Sequence, residues 1–153
     1  MILSKRHNLV KITIQLTYTY KWRLTLSEFD LAKLSPNSIY MEYCQKDQLA
    51  FQRSSSVKAV FYPRIVEPQT GDELRWELSQ GLGTVYSTTV IYLRDEKPYN
   101  VALIDVDEGY RMMSRVEGID PEHVQIGMRV QAQMTTFDDG KKYPIFTPVK
   151  EAM

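Results

Sequence analysis

The sequence predicts a mainly β protein, a five-stranded barrel of the OB type downstream of Gly81, with a helical and irregular appendage ahead of it. Three observations carry that prediction. Runs rich in Val, Ile, Thr and Tyr recur five times between Gly81 and Pro148. Each is bounded by Gly, Pro, Asp or Asn, the residues that end strands and form tight turns. One capped helical turn separates the third run from the fourth. Short strands with a single helical insertion at that point fit a partly open Greek-key barrel.

From Lys11 to Leu26 apolar and polar residues alternate, with Ile12, Ile14, Leu16, Tyr18, Tyr20, Trp22, Leu24 and Leu26 on one side. That period of two predicts a long strand with one buried face. Ser27 and Asp30 open a short helix through Leu34, ended by Ser35-Pro36. These 34 residues form a first region, 1–34. A second region, 35–80, begins with Ser35 as a helix cap and Pro36 at the first helical position. Ile39, Tyr40, Tyr43 and Cys44 then fall on one face of a helix over Asn37 to Lys46. Leu49 to Trp76 is the least regular stretch, read as two small hairpins about a short aromatic strand at Phe61-Tyr62. Its stability is expected from Phe51, Phe61, Tyr62 and Trp76.

The third region, 81–149, is the barrel. Its strands are predicted over Val85 to Tyr92, Tyr99 to Asp105, Tyr110 to Val116, Met128 to Phe137 and Tyr143 to Thr147. In Asp120-Pro121-Glu122-His123 the aspartate is placed as an N-cap and the proline at the first helical position, and Gly127 stops the turn. Asp138-Asp139-Gly140 marks the last hairpin turn. Gly81-Leu82-Gly83 precedes a strand and lacks a following Lys-Ser or Lys-Thr, so it is no phosphate loop. A bend or bulge that lets the barrel close is its expected use.

At 153 residues, 43% of them hydrophobic, the chain suits one barrel plus an appendage. No apolar run approaches the roughly 20 residues that span a bilayer, and the first residues lack the apolar block of a secretory signal. The expected location is cytoplasmic, with no membrane partner. Overall charge is zero, yet residues 81–149 carry seven Lys or Arg against ten Asp or Glu, a net of minus three. A barrel that grips a phosphate backbone is the basic part of its chain. Here it is the acidic part.

Groups able to exchange protons or attack a carbonyl are sparse. His7 lies near the start and His123 on a short exposed helix. Cys44 is the single cysteine, which rules out an internal disulfide and any multi-thiolate metal site, and its place on the helix marks it as packed. Asp105, Asp107 and Glu108 surround a turn at Gly109, where acidic residues serve turn geometry more often than a divalent cation. Tyr86, Tyr92, Tyr99 and Tyr110 could stack bases or line a subunit interface, and the acidic balance favours the interface.

Gly81-Leu-Gly-Thr-Val-Tyr-Ser-Thr-Thr-Val, Tyr99-Asn-Val-Ala-Leu-Ile-Asp-Val-Asp-Glu-Gly, Met112-Met-Ser-Arg-Val, Pro121 to Met128, and Pro144-Ile-Phe, taken together, resemble the acyl-CoA-associated OB-fold proteins that carry a rubredoxin-like zinc ribbon. The resemblance runs from about Pro36 to Pro148. It implies a helical segment, then a ribbon with two Cys-x-x-Cys knuckles, then the barrel. It puts the first knuckle at Ser54 and Val57 and the second at Glu67 and Thr70, so all four zinc ligands are replaced and zinc is expected to be absent. It also implies a non-catalytic accessory subunit of a thiolase-like or MaoC-like acyl-CoA enzyme, helping to form the acyl-CoA site. Arg111 and Arg115, with Met113 between them on the third strand, are the candidates to meet a CoA phosphate or a partner carboxylate. Single-stranded nucleic-acid binding through the barrel is the alternative from another class, and a metal-dependent enzyme a third. The region 1–34 has no counterpart in the resemblance.

Overall fold

A computed structural model describes residues 35–149. The expected strand from Lys11 to Leu26 and helix from Ser27 to Leu34 lie outside the described residues. From Pro36 to Val149 the chain forms one compact unit.

Helix α1 (Pro36–Gln45) opens it, starting at the expected proline. Tyr40 and Cys44, one turn apart, are its buried residues, whereas Ile39 and Tyr43 are only half-buried. A three-stranded ribbon follows, built from β1 (Ala50–Ser54), β2 (Ala59–Val60) and β3 (Leu74–Leu78) in the order β2-β1-β3, with antiparallel pairings. The expectation of two hairpins is corrected here. Only β1 and β2 form a full hairpin, because β3 returns to pair with β1 across twenty residues, and Val66 meets Glu73 as an isolated bridge. Phe61-Tyr62 is not a strand, since β2 ends at Val60 and the chain turns away. Gln52 takes over the pairing there, donating from Nε2 to the Arg64 carbonyl at 2.9 Å and accepting from the Arg64 N–H at 2.7 Å.

The barrel contains the five predicted strands, with ends shifted by up to three residues: β4 (Leu82–Ile91), β5 (Tyr99–Val106), β6 (Tyr110–Ser114), β7 (Arg129–Thr136) and β8 (Lys142–Pro148). Their order is β6-β5-β4-β7-β8, antiparallel throughout. The sheet curls until the chain beyond β6 meets β8 in a parallel bridge, Val116 to Phe146. There Phe146 donates to the Arg115 carbonyl at 2.9 Å and Glu117 donates to the Phe146 carbonyl at 2.8 Å. The buried Asn100 amide fastens the same point, donating to the Val116 carbonyl at 2.6 Å and accepting from its N–H at 2.8 Å. Between β6 and β7 a single turn of 3₁₀ helix, Pro121–His123, is capped by Asp120, whose side chain accepts from the Glu122 N–H at 3.0 Å.

Burial along β5 alternates without fault, so Asn100, Ala102, Ile104 and Val106 point inward. With Val85, Met112, Val124, Val130 and Phe146 they fill the barrel. Tyr110 is corrected from a surface platform to a core residue at 6% exposure. It stacks on Phe51 and on Phe61, both at 5.1 Å between centroids, and so joins ribbon to barrel in one core. The expected bend at Gly81-Leu82-Gly83 is present in another form. Gly81 has φ of +74°, and a Cβ on Gly83 would lie 2.8 Å from the Asp105 carbonyl oxygen, so Gly83 lets β4 and β5 approach. The bulge itself is displaced to Tyr86, between Val85 and Ser87.

Candidate functional site

The outer surface of β4, β5 and β6 carries two kinds of row. In the first, strand register sets Arg111 beside Asp105, Asp105 beside Thr84, and Thr84 beside Arg129. Arg111 binds the Asp105 carboxylate through two bonds of 2.6 and 3.0 Å, and its guanidinium lies 3.3 Å from the centre of the Tyr86 ring. Arg129 binds Asp107 through bonds of 2.8 and 2.7 Å and donates to the Thr84 hydroxyl at 2.9 Å. Each guanidinium holds its carboxylate partner below the ordinary aspartate range by hydrogen bonding. The row is charged but internally neutralised.

The next row is apolar. Met113 stands beside Leu103, which faces Ser87 next to the bulged Tyr86, and Val101 faces Thr89 one pleat further on. Met113 is 71% exposed and Tyr86 50%. Tyr86 faces outward after the inward Val85, and the bulge sets Ser87 on that same face, where a regular strand would turn it inward. Adjoining this surface, an open groove of about 470 Å³ runs between ribbon and barrel, lined by Phe61, Tyr62, Arg111, Met113, Tyr143 and Pro144 among others. Arg111 is the charged side chain at its rim. Aromatic, methionine and arginine side chains on an exposed patch of this kind are the composition of protein interfaces.

The other sequence candidates are placed as follows. Arg115 lies 2.7 Å from Glu117 in a charge contact without an aligned N–H bond, and it covers the Phe137 ring at 4.6 Å. It does not line the groove, so the structure separates the two arginines that the strand pattern sets on one face. The three clustered carboxylates are dispersed among different partners: Asp105 and Asp107 to the arginines, and Glu108 to Ser79 Oγ at 2.9 Å and the Gln80 N–H at 2.7 Å. Among the described residues there is no group of three or more side chains suited to a metal. His123 is exposed, and Cys44 is buried with its thiol pushed up by desolvation. Tyr62 and Tyr143 carried no functional reading from sequence. Tyr62, beyond β2, and Tyr143, in β8, stand 81 residues apart in sequence, and no local signal connects them.

At the positions that the resemblance assigns to zinc, Val57 has no donor atom and is 69% exposed. Ser54 Oγ is paired with Ser56 Oγ at 2.8 Å, and Thr70 Oγ1 accepts from the Asp72 N–H at 3.3 Å. Glu67 is buried and accepts from the N–H groups of Gln69 and Thr70 at 2.6 Å each, and from Lys58 Nζ at 3.2 Å. This set does not fit a tetrahedral zinc ion, which takes thiolate, imidazole or free carboxylate donors.

Strand order and the parallel closure at Val116 and Phe146 define the class, an OB-fold module. Residues 76–135 match the sequence model of the ChsH2 C-terminal OB-fold domain. The chain is 30% identical over 119 residues to a probable enoyl-CoA hydratase alpha subunit of Thermomonospora curvata, covering 73% of this chain and 37% of that protein. It is 32% identical over 83 residues to a DUF35 domain-containing scaffold protein of Methanothermobacter thermautotrophicus, covering 47% of this chain and 60% of that one. A solved structure, the Ltp2-ChsH2(DUF35) aldolase, superposes with a TM-score of 0.68 at 28% identity over 76% of this chain and 97% of the matched chain. The chain thus spans little more than a third of the hydratase subunit's length. Among the described residues no helix is long and apolar enough to cross a membrane.

Proposed function

We propose that this protein is a non-catalytic accessory subunit that docks on a thiolase-like or MaoC-like acyl-CoA enzyme and helps form its acyl-CoA site. The carrying observation is the outer barrel surface, where exposed Met113, Tyr86 and the groove beside Arg111 form an apolar patch next to neutralised charges. The names of the similar proteins, a hydratase subunit, a scaffold and an aldolase complex, support the same reading. So does the burial of Cys44, the single thiol, whose desolvation disfavours the nucleophilic thiolate. Arg111 is half-exposed, and a surface ion pair is weak, so a CoA phosphate or partner carboxylate can compete with Asp105 for it.

Nucleic-acid binding is less well supported, because Tyr110 is in the core and Arg111 and Arg129 are already paired with aspartates. The test is co-purification with acyl-CoA enzymes of the thiolase and MaoC types encoded beside this chain. A stable complex that is lost in M113D, with an unchanged melting temperature for M113D alone, supports the proposal. Failure to associate with any such enzyme, or tight salt-sensitive oligonucleotide binding by the isolated protein, overturns it.

A further inference from the structure

We propose that the ribbon of residues 50–78 works without a metal, and that the Lys58 ammonium is the cation tying its two loops together. The loops are built alike. In the first, the Val57 N–H donates to the Ser54 carbonyl at 2.9 Å and the Lys58 N–H donates to Ser54 Oγ at 3.2 Å. In the second, the Gly71 N–H donates to the Glu67 carbonyl at 2.9 Å, while the Gln69 and Thr70 N–H groups donate to Glu67 Oε2. Each loop therefore folds around a side-chain oxygen of its own first residue, and both residues are buried, Ser54 at 0% and Glu67 at 2% exposure.

Lys58 belongs to the first loop and reaches across to the second. Its ammonium contacts Glu67 Oε1 at 3.2 Å and Gln69 Oε1 at 2.9 Å. A carboxylate this buried needs donors and a counter-charge to remain ionised. Two backbone amides and one ammonium supply both, and hydrogen bonding from Thr70 leads in bringing the carboxyl down to about 2. With both Glu67 oxygens engaged and Val57 lacking a donor, the loops leave no set of free ligands for zinc. This holds whatever enzyme the barrel docks on.

The experiment begins with the unaltered protein, purified without added metal. Elemental analysis is expected to find far less than one zinc per chain, and a chelator is expected to leave the melting temperature in place. K58M is expected to lower that temperature by about 5 °C or more, since it strands a buried charge. The double variant K58M/E67Q should recover part of the loss by removing that charge, which a merely space-filling lysine would not allow. Stoichiometric zinc, a melt that falls on chelation, or K58M melting with the unaltered protein would each overturn the proposal. The metal and chelator measurements decide the matter even if K58M does not fold.

Discussion

Ribbon and barrel solve one problem in two settings. Each contains a residue whose backbone N–H and carbonyl are met by a side-chain amide: Arg64 by Gln52 in the ribbon, Val116 by Asn100 in the barrel. The surroundings differ. Val116 is 2% exposed, whereas Arg64 is exposed, so water can replace Gln52 but not Asn100. Of the four buried polar side chains among the described residues, Gln52, Ser54 and Glu67 are in the ribbon and Asn100 alone is in the barrel. The barrel is held by apolar packing, the ribbon by polar contacts on an aromatic base. Conditions that act on charge should therefore affect the ribbon first, and conditions that act on volume the barrel.

The largest effect should come from the barrel core. Phe146 is fully buried, and F146A should lower the unfolding free energy by about 3–5 kcal/mol in urea titration. N100L should cost about 3 kcal/mol, since it strands the N–H and carbonyl of Val116 away from water. Acid distinguishes the two regions directly. Glu67 ionises at about 2 in the folded protein, against about 4.3 for an unfolded glutamate. A lowered value gives stability that is complete above the unfolded pKa and lost as pH falls through the folded one, so the ribbon should loosen between about pH 5 and pH 2. Asp105 and Asp107 act with the same sign, but they are half-exposed and screened. Fluorescence of Trp76, in a Trp22→Phe background, should change in this window before barrel signals do, and E67Q should remove that early change.

Q52L should cost only about 1 kcal/mol, and a loss equal to that of N100L would erase the contrast between the regions. The smallest change should be a gain. Val57 holds φ of +66° with its side chain exposed, a conformation that disfavours β-branched residues. V57G should raise stability by about 0.5–1 kcal/mol in thermal melts.

Legibility followed the range of the interactions. The barrel strands were readable because period-two burial and turn residues are local, as the unbroken alternation of β5 shows. The ribbon was not, because β3 finds its partner twenty residues away and β2 is only two residues long. Tyr110 was misplaced because tyrosine suits a strand surface and a core equally, and the phenylalanines that enclose it come from the other region. Glu67 as a buried residue could not be anticipated, since glutamate is rarely enclosed without a partner. The pairing of Arg111 with Asp105 was within reach, because a hairpin turning at Asp107-Glu108-Gly109 sets those two positions opposite each other. The groove beside them depends on the meeting of ribbon and barrel, which one linear pattern does not encode.

The parallel seam between Val116 and Phe146 also orders events at the ribosome. Its second half is among the last residues of the barrel to be synthesised, so the inward faces of β4, β5 and β6 emerge before Ile145 and Phe146 exist to cover them. Barrel completion must wait until β8 has left the exit tunnel. Until then the nascent chain presents an open apolar trough to whatever chaperone or subunit meets it first.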